Sequence, residues 1–309
     1  MPINESKENP KYELVMQNPR ILVPTDLSEL SLTAFESAAY LADIMDGTII
    51  PLYVYQPEKE GTSFPVAPTP PKSISNLEKE LEKKALEYVD EEFLEPVIVA
   101  KGTPWKVIME ESEDADIVVM TTHGRSGFSR LFLGSVTERV VRFSKAPVLL
   151  VEKESKIKPM KDILLTTDFS DHSLQAFDYA RSLVKKTGAN VHLVHLINMH
   201  DFKKITAFEN QVAVIRERLH SWVDEYLSDI KSHIKADVFP VSSSIHEAIV
   251  RLTDQKKYNL VVMSTLGHSG LEYLRLGSTA ANVLRLVKTA VLSINPKMYQ
   301  DIGDEHQQN

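Results

Sequence analysis

One glycine-rich signature occurs twice in this chain, and it constrains the fold more than any other feature. The first copy runs from Thr121 through His123-Gly124 to Gly134-Ser135. The second runs from Ser264 through Gly267 to Gly277-Ser278. In both, nine residues separate the inner glycine from the Gly-Ser pair. Each copy follows an apolar run and precedes a helical pattern. A strand that leads through glycines into a helix presents backbone N–H groups and a positive dipole end, a common way to cradle a phosphate.

The repetition extends beyond the glycines. Asp168 lies 142 residues after Asp26, and at that spacing Ile21-Leu22-Val23-Pro24-Thr25-Asp26-Leu27-Ser28 matches Ile163-Leu164-Leu165-Thr166-Thr167-Asp168-Phe169-Ser170. Ser31 matches Ser173 and Phe35 matches Phe177. A repeat of this length is a domain, not a solenoid unit. The expected division is a polar segment 1–19, a first domain 20–152, a lysine-rich linker 153–161, a second domain 162–296 and a tail 297–309. With 309 residues, each half can bury its own core.

Each copy alternates apolar strands with amphipathic helices. The first predicts strands at 20–24, 48–55, 96–100, 116–120 and 147–151, with helices at 28–46, 75–93, 103–113 and 135–144. The second predicts strands at 162–166, 190–197, 236–241, 258–263 and 290–294, with helices at 173–187, 207–231, 245–256 and 278–287. Alternation of this kind implies βαβ crossovers and a parallel sheet covered on both faces. The expectation is two tandem α/β domains, each a doubly wound, five-stranded parallel sheet. In such sheets ligands bind at the carboxyl ends of strands, where strand order reverses. Asp26 and the glycine motif both fall on that edge. Segment 56–72 carries five prolines, Pro57, Pro65, Pro68, Pro70 and Pro71, and reads as a long loop.

The bulk numbers exclude several classes. No apolar stretch reaches the roughly 18–20 residues of a membrane span. The first 19 residues have no apolar core of a secretory signal, so a cytoplasmic location is expected. There is no cysteine, which removes disulfides, thiolate metal sites and cysteine nucleophiles. A net charge of −8 argues against broad attraction to nucleic acid or anionic lipid. His192 and His195 stand three apart on a strand and face opposite ways, so they do not share a metal.

Taken together, the spacing of the glycines, Pro24-Thr25-Asp26 and Leu133-Gly134-Ser135-Val136-Thr137-Glu138 resemble the universal stress protein family, once in each half. The resemblance implies a fold like that of the adenine-nucleotide alpha hydrolases and two halves joined as a pseudo-dimer through their last strands, with Val148, Leu150, Val291 and Ile294 as apolar contacts. It implies ATP or a related nucleotide, with or without Mg²⁺, as ligand. Adenine and ribose would lie near Asp26 and the backbone of Val54 in the first copy, and near Asp168 and Leu196 in the second. The phosphates would lie against Thr121, His123, Gly124, Gly134 and Ser135, or against Ser264, Gly267, Gly277 and Ser278. The first copy is expected to be the better site. Thr121 and Ser264 stand where the family pattern has its first glycine, and a β-branched Thr resists positive φ.

Other readings remain open on the residues alone. The glycines serve equally well as a structural turn, and Asp26 and Asp168 as caps of the following helix. A nucleotide-free adaptor working through protein contacts is the alternative function, with segment 56–72 as its recognition element. Further association into a dimer of tandem chains is expected by analogy. No dedicated catalytic base is recognisable, so slow ATP hydrolysis is the most that is expected of it as an enzyme.

Overall fold

The computed structural model describes residues 16–56, 73–122, 133–199, 205–266 and 276–295. The first half contains β1 (Arg20–Thr25), α1 (Glu29–Leu32), α2 (Ala34–Met45), β2 (Thr48–Tyr55), α3 (Ile74–Ala85), β3 (Ile98–Lys101), α4 (Pro104–Glu111), β4 (Ile117–Thr121), α5 (Ser135–Phe143) and β5 (Val148–Val151). The second contains β6 (Asp162–Thr166), α6 (Asp171–Thr187), β7 (Asn190–Asn198), α7 (Ile205–Tyr226), β8 (Ile234–Val241), α8 (Ile245–Gln255), β9 (Leu260–Ser264), α9 (Ser278–Leu286) and β10 (Ala290–Ile294).

All ten strands join one sheet, in the order β3-β2-β1-β4-β5-β10-β9-β6-β7-β8. The two five-stranded units expected from the sequence are therefore fused edge to edge. Every strand pair within a unit is parallel, and only the junction of β5 with β10 is antiparallel. The strand order reads alike from either end, which is the pseudo-twofold arrangement of a dimer built from one chain. The junction pairs Val291 with Leu150, Leu292 with Leu149 and Ser293 with Val148. Ser293 adds a side-chain bond to the carbonyl of Val148 at 3.1 Å. Ile294 lies one residue beyond this register.

The strands are apolar on both faces because both faces are covered. In β1, Ile21 and Val23 point into one core and Leu22 into the other. One core receives Phe35 and Leu41 of α2, Phe177 and Leu183 of α6, and Leu219 of α7. The opposite core receives Ile108 of α4, Val140 of α5, Ile249 of α8 and Val283 of α9. Both layers run across the junction, so the units share their cores as well as a sheet.

Local chemistry moves several helix ends from their expected places. The helix expected over 28–46 is divided at Thr33, whose hydroxyl donates to the carbonyl of Leu30 at 2.7 Å. The helix expected over 75–93 stops at Ala85 and resumes only as a short 3₁₀ turn, Glu91–Phe93. The long second-half helix ends at Tyr226, before the 3₁₀ segment Ser228–His233. The linker is better anchored than its lysines suggest. Ile157 and Met160 are buried in the shared core, and the Met160 N–H donates to the Tyr40 hydroxyl at 2.9 Å.

Among the described residues, two polar clusters of the second unit are each built on a buried side chain. Arg181 of α6 is fully buried; it bonds Asp229 at 3.1 Å and also reaches Asp178 and the carbonyl of Tyr226. Lys185 adds a 2.6 Å ion pair to Asp229. At the matching place in the first unit stands Ala39. Elsewhere His192 is held between Tyr258, 2.5 Å from Nδ1, and Asp237, 2.8 Å from Nε2. An ionised Asp237 only accepts, so Nε2 carries the proton and the Tyr258 hydroxyl donates to Nδ1.

Burial, with help from nearby Lys256 and Lys235, pushes the His192 pKa below its ordinary value, against the hydrogen bond that His192 donates to Asp237. Burial pushes the Tyr258 pKa up to about 12. Folded His192 thus resists a proton that the unfolded chain takes up near pH 6.5. Its contribution to stability is present above about pH 6.5 and is lost as pH falls below it. Calorimetric melting should show Tm falling between about pH 7 and 5.5. His192→Asn should flatten that dependence, and an unchanged slope in the variant would refute the assignment.

Candidate functional site

Strand order reverses between β1 and β4 in the first unit and between β6 and β9 in the second. A cleft opens at each of these points, on the carboxyl edge of the sheet, as expected for doubly wound sheets. The first has a volume of about 350 Å³ and is lined by Asp26, Val54, Thr121, Gly134 and Ser135 among others. The second has a volume of about 670 Å³ and is lined by Asp168, Leu196, Ser264, Gly277 and Ser278 among others. Every expected site residue within the described segments lines one of these clefts. His123, Gly124 and Gly267 lie outside the described residues, as does segment 57–72.

One wall of each cleft is a strained elbow after the first strand. Leu27 has φ 62° and Phe169 has φ 63°, left-handed values that are unfavourable for bulky side chains. Side chains over-determine the turn. The N–H of Leu27 donates to Thr25 Oγ1 at 3.0 Å, and the N–H of Ser28 donates to Asp26 Oδ1 at 3.0 Å. The Ser28 hydroxyl also donates to Asp26 Oδ1 at 2.5 Å. Phe169, Thr167, Ser170 and Asp168 repeat the set at 3.0, 3.0 and 2.5 Å. Ser28 and Ser170, rather than the aspartates, cap the following helices. The aspartates brace the elbow, and both line the clefts.

Sequence reasoning passed over the next layer. Thr25 Oγ1 and Ser31 Oγ are 2.7 Å apart, and Thr167 Oγ1 and Ser173 Oγ are 2.8 Å apart. The signal was present as Thr-Asp-x-Ser-x-x-Ser, repeated at residues 25–31 and 167–173. His195 was also missed as a cleft residue. It lines the second cleft with Nδ1 bonded to the Thr167 carbonyl at 2.9 Å, and its ring packs 4.5 Å from that of Phe169.

The opposite wall is a helix N-terminus. Gly134 and Gly277 are the N-cap residues of α5 and α9, with exposed Ser135 and Ser278 opening the helices. The first-turn N–H groups and the dipole favour an anion there. Both glycines have φ −56°, so left-handed backbone is not what selects glycine at these caps. Space is the reason at Gly277, where a Cβ would meet the carbonyl oxygen of Thr265 at 3.0 Å. The expected difficulty at Thr121 also dissolves. Thr121 ends β4 in extended conformation, paired with Val151, and Ser264 ends β9, paired with Ile294. Neither has to adopt positive φ.

Among the described residues no group of three or more His, Asp or Glu is placed to hold a metal ion. Nor does any described helix have the length and apolarity to cross a membrane.

The fold and its clefts define a class: tandem doubly wound α/β domains, each with a cleft where strand order reverses, joined through their last strands. The family model of the universal stress protein family matches residues 17–152 and again 159–295. The chain belongs to the universal stress protein family. A universal stress protein of Methanocaldococcus jannaschii is 34% identical over 148 residues, covering 44% of this chain and 84% of its own. One of Mycolicibacterium smegmatis is 24% identical over 295 residues, covering 90% of this chain and 97% of its own. The crystal structure of a universal stress protein from Archaeoglobus fulgidus, 23% identical, matches 92% of this chain and 98% of its own with TM-score 0.62. That likeness supports the tandem fold.

Proposed function

We propose that each unit binds ATP or a related nucleotide as a regulatory ligand. One observation carries the reading: in both units a braced aspartate faces a helix N-terminus across the strand-order switch. The carboxylate suits ribose hydroxyls or an adenine amine, and the helix amides with Ser135 or Ser278 suit phosphate oxygens. Both cleft volumes fall within the roughly 300–1,000 Å³ typical of small-molecule sites. A magnesium ion would arrive with the phosphates. We place the tighter site in the first cleft, because the second copy departs further from the family pattern, with Thr166 at the Pro24 position and Leu266 at the His123 position.

The two tryptophans are natural reporters. Trp105 follows Pro104, which lines the first cleft. Trp222 packs edge-on to Phe169 at 4.9 Å, beside Asp168. Asp26→Asn keeps an acceptor for the elbow but removes the charge. It should weaken ATP binding, read by Trp105 fluorescence in a Trp222→Phe background, by about tenfold. Its melting temperature should stay close to that of the parent. Equal affinity in the two proteins would remove Asp26 from the site.

A further inference from the structure

The walls of the two clefts are connected through the junction. Gly277 at the second cleft donates its N–H to the Thr265 carbonyl at 2.9 Å. Thr265 in turn donates to the carbonyl of Ile294 from its N–H at 2.9 Å and its hydroxyl at 3.2 Å. The next residue, Asn295, is buried and crosses to the other unit, donating from Nδ2 to the carbonyl of Arg142 at 3.1 Å. Arg142 lies in the last turn of α5, the helix whose N-terminus forms the first cleft.

A second path runs the other way with different residues. Gly134 donates its N–H to the Thr122 carbonyl at 2.9 Å, and the Thr122 hydroxyl bonds Glu152 at the end of β5. The N–H of Glu152 donates to Ser155 Oγ at 2.9 Å. Ser155 then donates to the carbonyl of Lys288 at 3.0 Å, just beyond the end of α9. Each phosphate wall is thus tied to the far end of the helix that serves the other cleft. A helix of nine residues is a rod of about 13 Å, so a pull at its N-terminal amides is felt at its last carbonyls.

We propose that the two clefts are positively coupled through Asn295 and Ser155, so that filling one raises the affinity of the other. The proposal rests on the nucleotide reading above. A ligand that fixes one helix N-terminus orders the junction residues tied to it, and the second ligand then meets a wall already ordered. The coupling should be about fivefold or more in affinity.

The test is calorimetric titration of the full chain with ATP and Mg²⁺. The wild type should bind two nucleotides, the second about fivefold tighter than independent sites allow. Ser155→Ala, at a half-buried position, and Asn295→Ala should each still bind two nucleotides but with reduced cooperativity, and the double variant should bind them independently. Two independent sites, negative cooperativity or a single filled site in the wild type would overturn the coupling alone. So would cooperativity that survives in both single variants and in the double variant. Absence of any nucleotide binding would overturn the nucleotide reading together with the coupling.

Discussion

Arg181→Ala is expected to destabilise the protein by about 3 kcal/mol, since a fully buried guanidinium is lost while the two carboxylates it leaves, each about a third exposed, are partly compensated by solvent. The Arg181 side chain is only 1% exposed, and it serves Asp178, Asp229 and a main-chain carbonyl at once. Burial already pushes the Asp178 pKa up despite that guanidinium. At Asp229 burial pushes the same way, but Lys185 and Arg181 outweigh it and hold the carboxyl below its ordinary value. Without Arg181, Asp178 loses its cation and Asp229 keeps only the half-exposed Lys185. A loss of this size should lower Tm by roughly 10 °C in a domain of this scale. Arg181→Lys retains charge but not the planar fork, so its loss should be intermediate. Ala39→Val at the matching place in the first unit should change Tm far less. A drop below about 1 kcal/mol for Arg181→Ala would mean that the cluster contributes little.

The second large effect is expected at the junction. Leu292 lies on β10 opposite Leu149, 2% exposed, in the core shared by both units. Leu292→Asp would place a carboxyl there with no polar partner and no water. The expected cost is about 4–5 kcal/mol or more, combining lost apolar burial with a desolvated acid. Because both core layers cross the junction, both halves should lose protection from amide hydrogen exchange together. Loss confined to the second unit would show that the halves are stabilised separately and would contradict the fused-sheet description.

The repeat made much of this architecture legible. Apolar runs of strand length and amphipathic helical periods are local signals, and they fixed element order and both cleft edges. The braced elbow left a signal, Thr-Asp-x-Ser-x-x-Ser in both copies, but on the sequence Asp26 and Asp168 read only as ligand contacts or helix caps. What escaped depends on contacts between residues far apart in sequence. Arg181 reads as a surface cation until Asp229, 48 residues later, folds against it. His192, Asp237 and Tyr258 read as unrelated polar residues, since Ile50, Ile98 and Ala115 stand at the matching places in the first unit. The edge-to-edge fusion was implied only by family resemblance, because no local pattern tells an edge strand which partner it will meet. The reason for glycine at Gly277 was likewise steric, and visible only once Thr265 was placed against it.

The central claim is that both helix N-termini receive nucleotide phosphates. Ser135 and Ser278 are exposed at those termini, where glutamate is compatible with the helix dipole and should leave the fold intact or slightly more stable. The same carboxylates would repel a polyphosphate. Calorimetry with ATP and Mg²⁺ should therefore show two nucleotides bound per wild-type chain, and none to Ser135→Glu/Ser278→Glu at an unchanged or higher Tm. No heat and no Tm shift with millimolar nucleotide in the wild type, or undiminished binding in the double variant, would contradict the account.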